Sequence, residues 1–144
     1  MPHDPRMHTA EHVLNQAMVR TLGCARCFSA HINRKKSKCD YRFHRDLQEG
    51  EVRALQELIN AQLRRGLEVR EEYLDRGTAG TCFGLERLPA DAGDRIRIVR
   101  VGDFDACPCI GPHVKNTLEV GRFLLISHDF TDGVLRLRFK LGSP

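Results

Sequence analysis

Two ligand-type pairs stand near opposite ends of this sequence with the same spacing, and the fold has to account for both. The first is His8-Thr9-Ala10-Glu11-His12, and the second is Cys109 with His113. Residues four apart on a helix lie on one side, one turn above each other, so His8 and His12 can grip one metal ion. With Cys109 and His113 they offer one soft sulfur and three ring nitrogens, a set suited to a single Zn²⁺. A lone His-x-x-x-His is weak evidence. Two pairs in one chain make a shared site the expectation, and a shared site requires distant segments to fold together.

The bulk numbers fit that requirement. A chain of 144 residues can build one compact domain, 1–144, around a real hydrophobic core. Its 29% charged and 41% hydrophobic residues are ordinary for a globular protein. Apolar runs such as Phe123 to Ile126 are too short to span a bilayer, so no membrane partner is expected. The start Met-Pro-His-Asp has no apolar signal core, which predicts a cytoplasmic protein. In a reducing compartment six cysteines point to metal binding, reactivity or burial rather than a disulfide framework. A net charge of +4 leans mildly toward polyanionic partners.

Along the chain, the spacing predicts a helix over 7–22. Its apolar arc holds Met7, Ala10, Val13, Leu14, Ala17, Met18, Thr21 and Leu22, with the histidines at the edge. Glu11 projects inside that arc, where a carboxylate needs a cation, an imidazole or substrate as partner. Gly23 ends the helix. Residues 25–45 alternate as a β-hairpin, with Arg34, Lys35, Lys36 and Lys38 at its turn. That run is either a solvated loop or a phosphate contact. Asp46 with Glu49 suggests a capping-box start to a packing helix that Gly66 stops.

Leu67 to Leu74 reads as a strand and Asp75 to Phe83 as a short helix, followed by a connection through Pro89. From Arg95 a strand is expected with Ile96, Ile98 and Val101 on one side. Residues 104–113 read as a turn-rich segment. Phe123–Phe130 and Val134–Leu141 form a hairpin about Thr131-Asp132-Gly133. Its last strand turns Leu135, Leu137, Phe139 and Leu141 inward and Arg136, Arg138 and Lys140 outward. The expected class is α+β, an antiparallel-rich sheet packed with helices.

Taken together, the two segments resemble a known family. His8-Thr9-Ala10-Glu11-His12 resembles the HTAxH helix of the editing domain of alanyl-tRNA synthetase. The run Cys109-Ile110-Gly111-Pro112-His113-Val114-Lys115-Asn116-Thr117-Leu118-Glu119-Val120-Gly121 resembles that domain's CGGTHVxNTxEIG segment. The length and the early first motif are similar to the short free-standing alanyl-tRNA editing proteins. The editing domain of threonyl-tRNA synthetase shares both pairs. The resemblance implies a class II synthetase editing-domain fold with one Zn²⁺ on His8, His12, Cys109 and His113. It also implies hydrolysis of mischarged aminoacyl-tRNA, mainly serine or glycine on alanine tRNA, with the charged acceptor end as partner and a synthetase as a possible associate.

The same resemblance gives Gly111 a role in close backbone approach, and Asn116 and Thr117 a role in holding the ligand loop or the substrate. Ser29 and His31 fall in the strand that lines the amino-acid pocket in the family. Glu11 is the candidate for proton transfer. Ile110 and Pro112 depart from the family's usual Gly and Thr.

Three other readings compete. His8-x-x-Glu11-His12 matches the signature of inverted zinc peptidases, with Glu11 as base. A zinc-stabilised RNA-binding module without turnover needs the same ligands. Cys24-x-x-Cys27 with Cys39 or Cys107 offers a second metal site. His3, His44 and His128 have no partner that the sequence names.

Overall fold

The computed structural model describes residues 4–85, 88 and 93–144. His3 and the Pro89 connection lie outside the described residues. Helix α1 spans Pro5–Leu22, two residues longer at its start than periodicity predicts. The reason is the cap: Asp4 Oδ1 accepts from the amides of Arg6 and Met7, and Pro5 suits the first helical position. Gly23 closes the other end in the left-handed conformation, φ 70°. Met7, Ala10, Val13, Leu14, Ala17 and Met18 are buried as expected. Thr21 is instead exposed, its hydroxyl donating to the Ala17 carbonyl.

The fold is α+β, with two antiparallel sheets. The larger has strand order β1-β2-β7-β6, from β1 (Ser29–His31), β2 (Ser37–Arg42), β6 (Phe123–Thr131) and β7 (Val134–Leu141). Both predicted hairpins are present, with Ala30 opposite Cys39 and Phe130 opposite Leu135. Asp132 and Gly133 both take positive φ, the turn that matches the twist of paired strands. Leu135, Leu137 and Phe139 are fully buried against α1 and α2 (Glu49–Arg64) in one core. The outward cations largely have partners: Arg136 binds Asp40 and Arg138 binds Asp129. That leaves Lys140 as the exposed member of the stripe.

The cap of α2 differs from expectation. Glu51, not Glu49, folds back, accepting from the Gln48 amide at 2.8 Å while holding Arg45. Asp46 is used elsewhere, against His128 Nδ1 at 2.6 Å, which gives that histidine its partner. The His44 ring packs on Phe43.

The smaller sheet has order β3-β4-β5, from β3 (Val69–Asp75), β4 (Arg95–Val101) and β5 (Asp105–Pro108), with α3 (Arg76–Cys82) beside it. Val101 does not share a side with Ile96 and Ile98. Those two pack with Ala79 in a separate small cluster, whereas Val101 joins the main core near Leu67. Strand alternation itself puts Val101, an odd number of residues from Ile96 and Ile98, on the other face; because both faces are covered, apolarity alone does not sort these residues by side. Strand β5 arises inside the segment expected to be turn-rich, because pairing of Val99 with Cys107 and Val101 with Asp105 overrides local propensity. No described helix is long and apolar enough to cross a membrane.

Candidate metal centre

Helix α1 presents His8 and His12 from its buried side, and β5 delivers Cys109 and His113 just past its end. One donor atom from each of the four residues falls in a group whose members all lie within 4.8 Å of one another. Cys109 Sγ is 3.4 Å from His8 Nε2 and 3.4 Å from His113 Nε2. An edge of a zinc coordination tetrahedron between sulfur and nitrogen is about 3.5 Å, from bond lengths of about 2.3 and 2.05 Å. The residues therefore fit a zinc ion in both chemistry and spacing.

The imidazoles are oriented from behind. Thr9 Oγ1 is 2.9 Å from His113 Nδ1, which leaves Nε2 for the cluster, and the same hydroxyl accepts from the Val114 amide. Asp105 Oδ2 lies 3.5 Å from His12 Nδ1. Asp105 is itself buried and gripped by Arg26 at 2.6 and 3.2 Å and by Gln16 at 2.9 Å. A carboxylate behind a ligand histidine fixes its ring and raises its basicity. Neither Asp105 nor Arg26 stands out in the sequence, since their pairing depends on β5 meeting the end of α1.

The loop carrying Cys109 is pinned through its backbone. Arg97 Nη1 donates to the carbonyls of Gly111 at 2.7 Å and Cys109 at 3.3 Å, and the Gly111 amide approaches Cys109 Sγ at 3.3 Å. A Cβ at Gly111 would collide with the His8 ring, so only glycine lets the loop lie this close to α1.

Electrostatics prepare the donors. Burial works against a Cys109 thiolate, but hydrogen bonds from His113, His12 and His8 outweigh it and bring the thiol down to about 3. Burial, joined by the neighbouring His12 and His8, lowers His113 to about 4. Burial also opposes a charged His12, yet the bonds to Asp105 and Cys109 lift it to about 9. Burial disfavours an Asp105 carboxylate, but His12 and Arg26 bring it down to about 2. Thiolate and neutral imidazole are the forms that bind metal, so Cys109 and His113 are held ready for an ion, whereas His12 has to give up a proton to bind one.

Beside the cluster opens a cavity of about 760 Å³, within the range of small-ligand sites. His8, Glu11, His12, Asn15, Arg26, Cys27, Phe28, Cys107, Ile110 and Gly111 are among its walls. Residues 96–137, which include Cys109 and His113, match the family model described as the threonyl and alanyl tRNA synthetase second additional domain. The chain is a relative of alanyl-tRNA synthetase. It is 34% identical over 143 residues to the alanine–tRNA ligase of Aeropyrum pernix, covering 95% of this chain and 16% of that enzyme. The corresponding enzyme of Hyperthermus butylicus is 34% identical, with 96% and 15% covered, and that of Methanopyrus kandleri 30%, with 95% and 15%. The chain thus spans about one sixth of the length of the curated relatives it matches.

Other residues singled out by alanyl-tRNA synthetase likeness fall in different places. Glu11 is buried, with Oε1 3.5 Å from His8 Nε2, and lines the cavity. Ser29 and His31 are not among the cavity's described walls; Cys27 and Phe28, just before them, are. Ser29 is half-buried and His31 exposed. Asn116 and Thr117 also stand away from the cavity. Asn116 Oδ1 caps the short 3₁₀ turn Thr117–Glu119 while Nδ2 donates to the Gly66 carbonyl. Thr117 Oγ1 accepts from the Leu67 amide and donates to the Leu63 carbonyl. Both hold the loop against the end of α2. Arg34, Lys35 and Lys36 are exposed at the hairpin turn, with Lys38 half-buried beyond it.

Proposed function

We propose that this chain is a zinc-dependent aminoacyl-tRNA deacylase that removes serine or glycine from mischarged alanine tRNA. The observation that carries the reading is the convergence of His8, His12, Cys109 and His113 beside a cavity, in a chain related to alanyl-tRNA synthetase. In this reading those four residues hold one Zn²⁺, which when bound supplies Lewis-acid polarisation of an ester carbonyl or a water. Asp105 and Thr9 fix the ring orientations of His12 and His113. Arg97 and Gly111 keep the Cys109 loop against α1.

Glu11 is the carboxylate that both borders the cluster and faces the cavity, so it is the group to accept a proton from an attacking water. Discrimination against alanine follows from polar groups near the cavity floor, Asn15 and Glu11, which can hydrogen-bond a serine hydroxyl; an apolar hole rejects poorly. The cationic turn at residues 34–36 lies at most about 26 Å along the chain from Phe28, and there it contacts the phosphates of the acceptor end.

The test is deacylation of a panel of mischarged tRNAs, including serine, glycine and threonine species, by zinc-loaded and chelator-treated protein. Turnover of Ser- or Gly-tRNA(Ala) that disappears with the metal supports the reading; equal rates in both preparations overturn it. In the same assay Glu11→Gln should slow deacylation and change its pH profile; a rate and profile left untouched would remove Glu11 from the reaction.

A second reading has one observation in its favour. Four protein donors usually close a zinc site and make it structural, which suits a module that binds acceptor-stem RNA without hydrolysing its ester. Zinc-dependent RNA binding with no turnover identifies that case.

A further inference from the structure

Glu11 reaches from the imidazole cluster into a second group of donors. Its Oε2 lies 3.4 Å from Cys27 Sγ and 3.4 Å from Asn15 Nδ2. One carboxylate oxygen of Glu11 and the sulfurs of Cys27 and Cys39 all fall within 4.8 Å of one another, and all three residues are buried. They come from three places in the chain: α1, the segment entering β1, and β2. None of the cysteines is in a disulfide. Cys24, the nearer partner in sequence, takes no part, because its sulfur turns to the Met18 carbonyl.

The donors are held by a rigid frame. Asn15 Oδ1 accepts from the Cys27 amide at 3.2 Å and from the Tyr41 hydroxyl at 2.7 Å, tying α1 to both hairpin strands. The 3.4 Å between Cys27 Sγ and Glu11 Oε2 is again a tetrahedral edge, about 3.5 Å for zinc bonds of about 2.3 Å to sulfur and 2.1 Å to oxygen. Two sulfurs and a carboxylate select a thiophilic divalent ion over magnesium or calcium. Glu11 and Cys27 also line the cavity, which gives an ion a way in.

We propose that Glu11, Cys27 and Cys39 form a second site for a thiophilic divalent metal, on the floor of the cavity beside the four-donor cluster. The two sites meet at Glu11, one oxygen toward His8 and the other toward Cys27. The proposal stands on this geometry and does not require that the chain act on tRNA.

Titration of the metal-free full chain with Co²⁺ tests it. Two equivalents should bind, with distinct spectra. One has a single thiolate, and the other has two and roughly twice the sulfur-to-cobalt charge-transfer intensity. The double variant Cys27→Ser/Cys39→Ala should keep only the single-thiolate equivalent, and Cys109→Ala only the two-thiolate one. A wild-type stoichiometry of one overturns the proposal, as does a second equivalent that survives loss of both Cys27 and Cys39. If the double variant does not fold, the wild-type stoichiometry and band intensities decide alone. Absence of tRNA deacylation alongside two bound equivalents would remove the editing reading and leave this one intact.

Discussion

The two halves of the four-donor cluster are built in different ways. His8 and His12 ride on a helix that is itself sunk in the main core, with Met7, Ala10, Val13, Leu14, Ala17 and Met18 all at or below 1% exposure. Their position is a by-product of hydrophobic burial. Cys109 and His113 sit on a loop beyond a four-residue edge strand, with Ile110 left 66% exposed between them. That loop is held by polar contacts from afar: Arg97 on its carbonyls, Thr9 on His113, Asn116 and Thr117 on the chain that follows. A helix half is insensitive to any one polar contact, and a loop half depends on several. The difference gives a way to separate folding from metal binding.

The largest effect expected is loss of a ligand from either half. His12→Ala and Cys109→Ala should each abolish zinc retention and ester hydrolysis, read by metal analysis after dialysis and by single-turnover deacylation. Wild-type rates in either zinc-free variant would remove the metal from the reaction.

Next comes a cut at the root of the helix half. Leu14→Ala empties a fully buried site and should cost about 2–5 kcal/mol in denaturant unfolding, with metal affinity following stability downward. A variant that keeps full stability would show that the core does not position His8 and His12.

Asp105 joins the halves, and its replacement should act on both affinity and acid stability. Asp105→Asn should weaken zinc binding by roughly 10–100-fold in competition with a chromophoric chelator. In the metal-free protein the Asp105 carboxyl falls from 3.8 to about 2 on folding. A depressed acid stabilises the fold above its unfolded value, and that contribution, about 2 kcal/mol, is lost as pH drops from about 4 toward 2. Acid unfolding of Asp105→Asn should lack this component; an unchanged acid transition would mean that Asp105 is not charged against His12 and Arg26.

The smallest effect isolates the loop half. Arg97→Ala removes both carbonyl contacts and a surface pair with Glu71. Surface pairs contribute little, so the unfolding midpoint should barely move while zinc affinity falls by about tenfold. Equal losses in stability and affinity would mean that the two halves are one cooperative unit and the contrast drawn here is false.

Local signals in the sequence were enough for the helix half. The 3.6-residue period of α1, its Gly23 stop and the His8/His12 spacing need no distant partner, and the alternation of β7 reads equally well, because its two faces differ. Motif spacing also picked out Cys109 and His113, which the fold brings beside the two histidines. Tertiary structure decided the rest. Strand β5 exists because β4 pairs with it, both faces of β4 are buried because separate clusters cover them, and Asp105 finds His12 and Arg26 only when β5 lies beside α1. Cys27, Cys39 and Glu11 likewise meet through contacts among α1, β2 and the approach to β1. Periodicity reports how a segment faces water, whereas a polar pairing across many residues depends on where both segments come to rest.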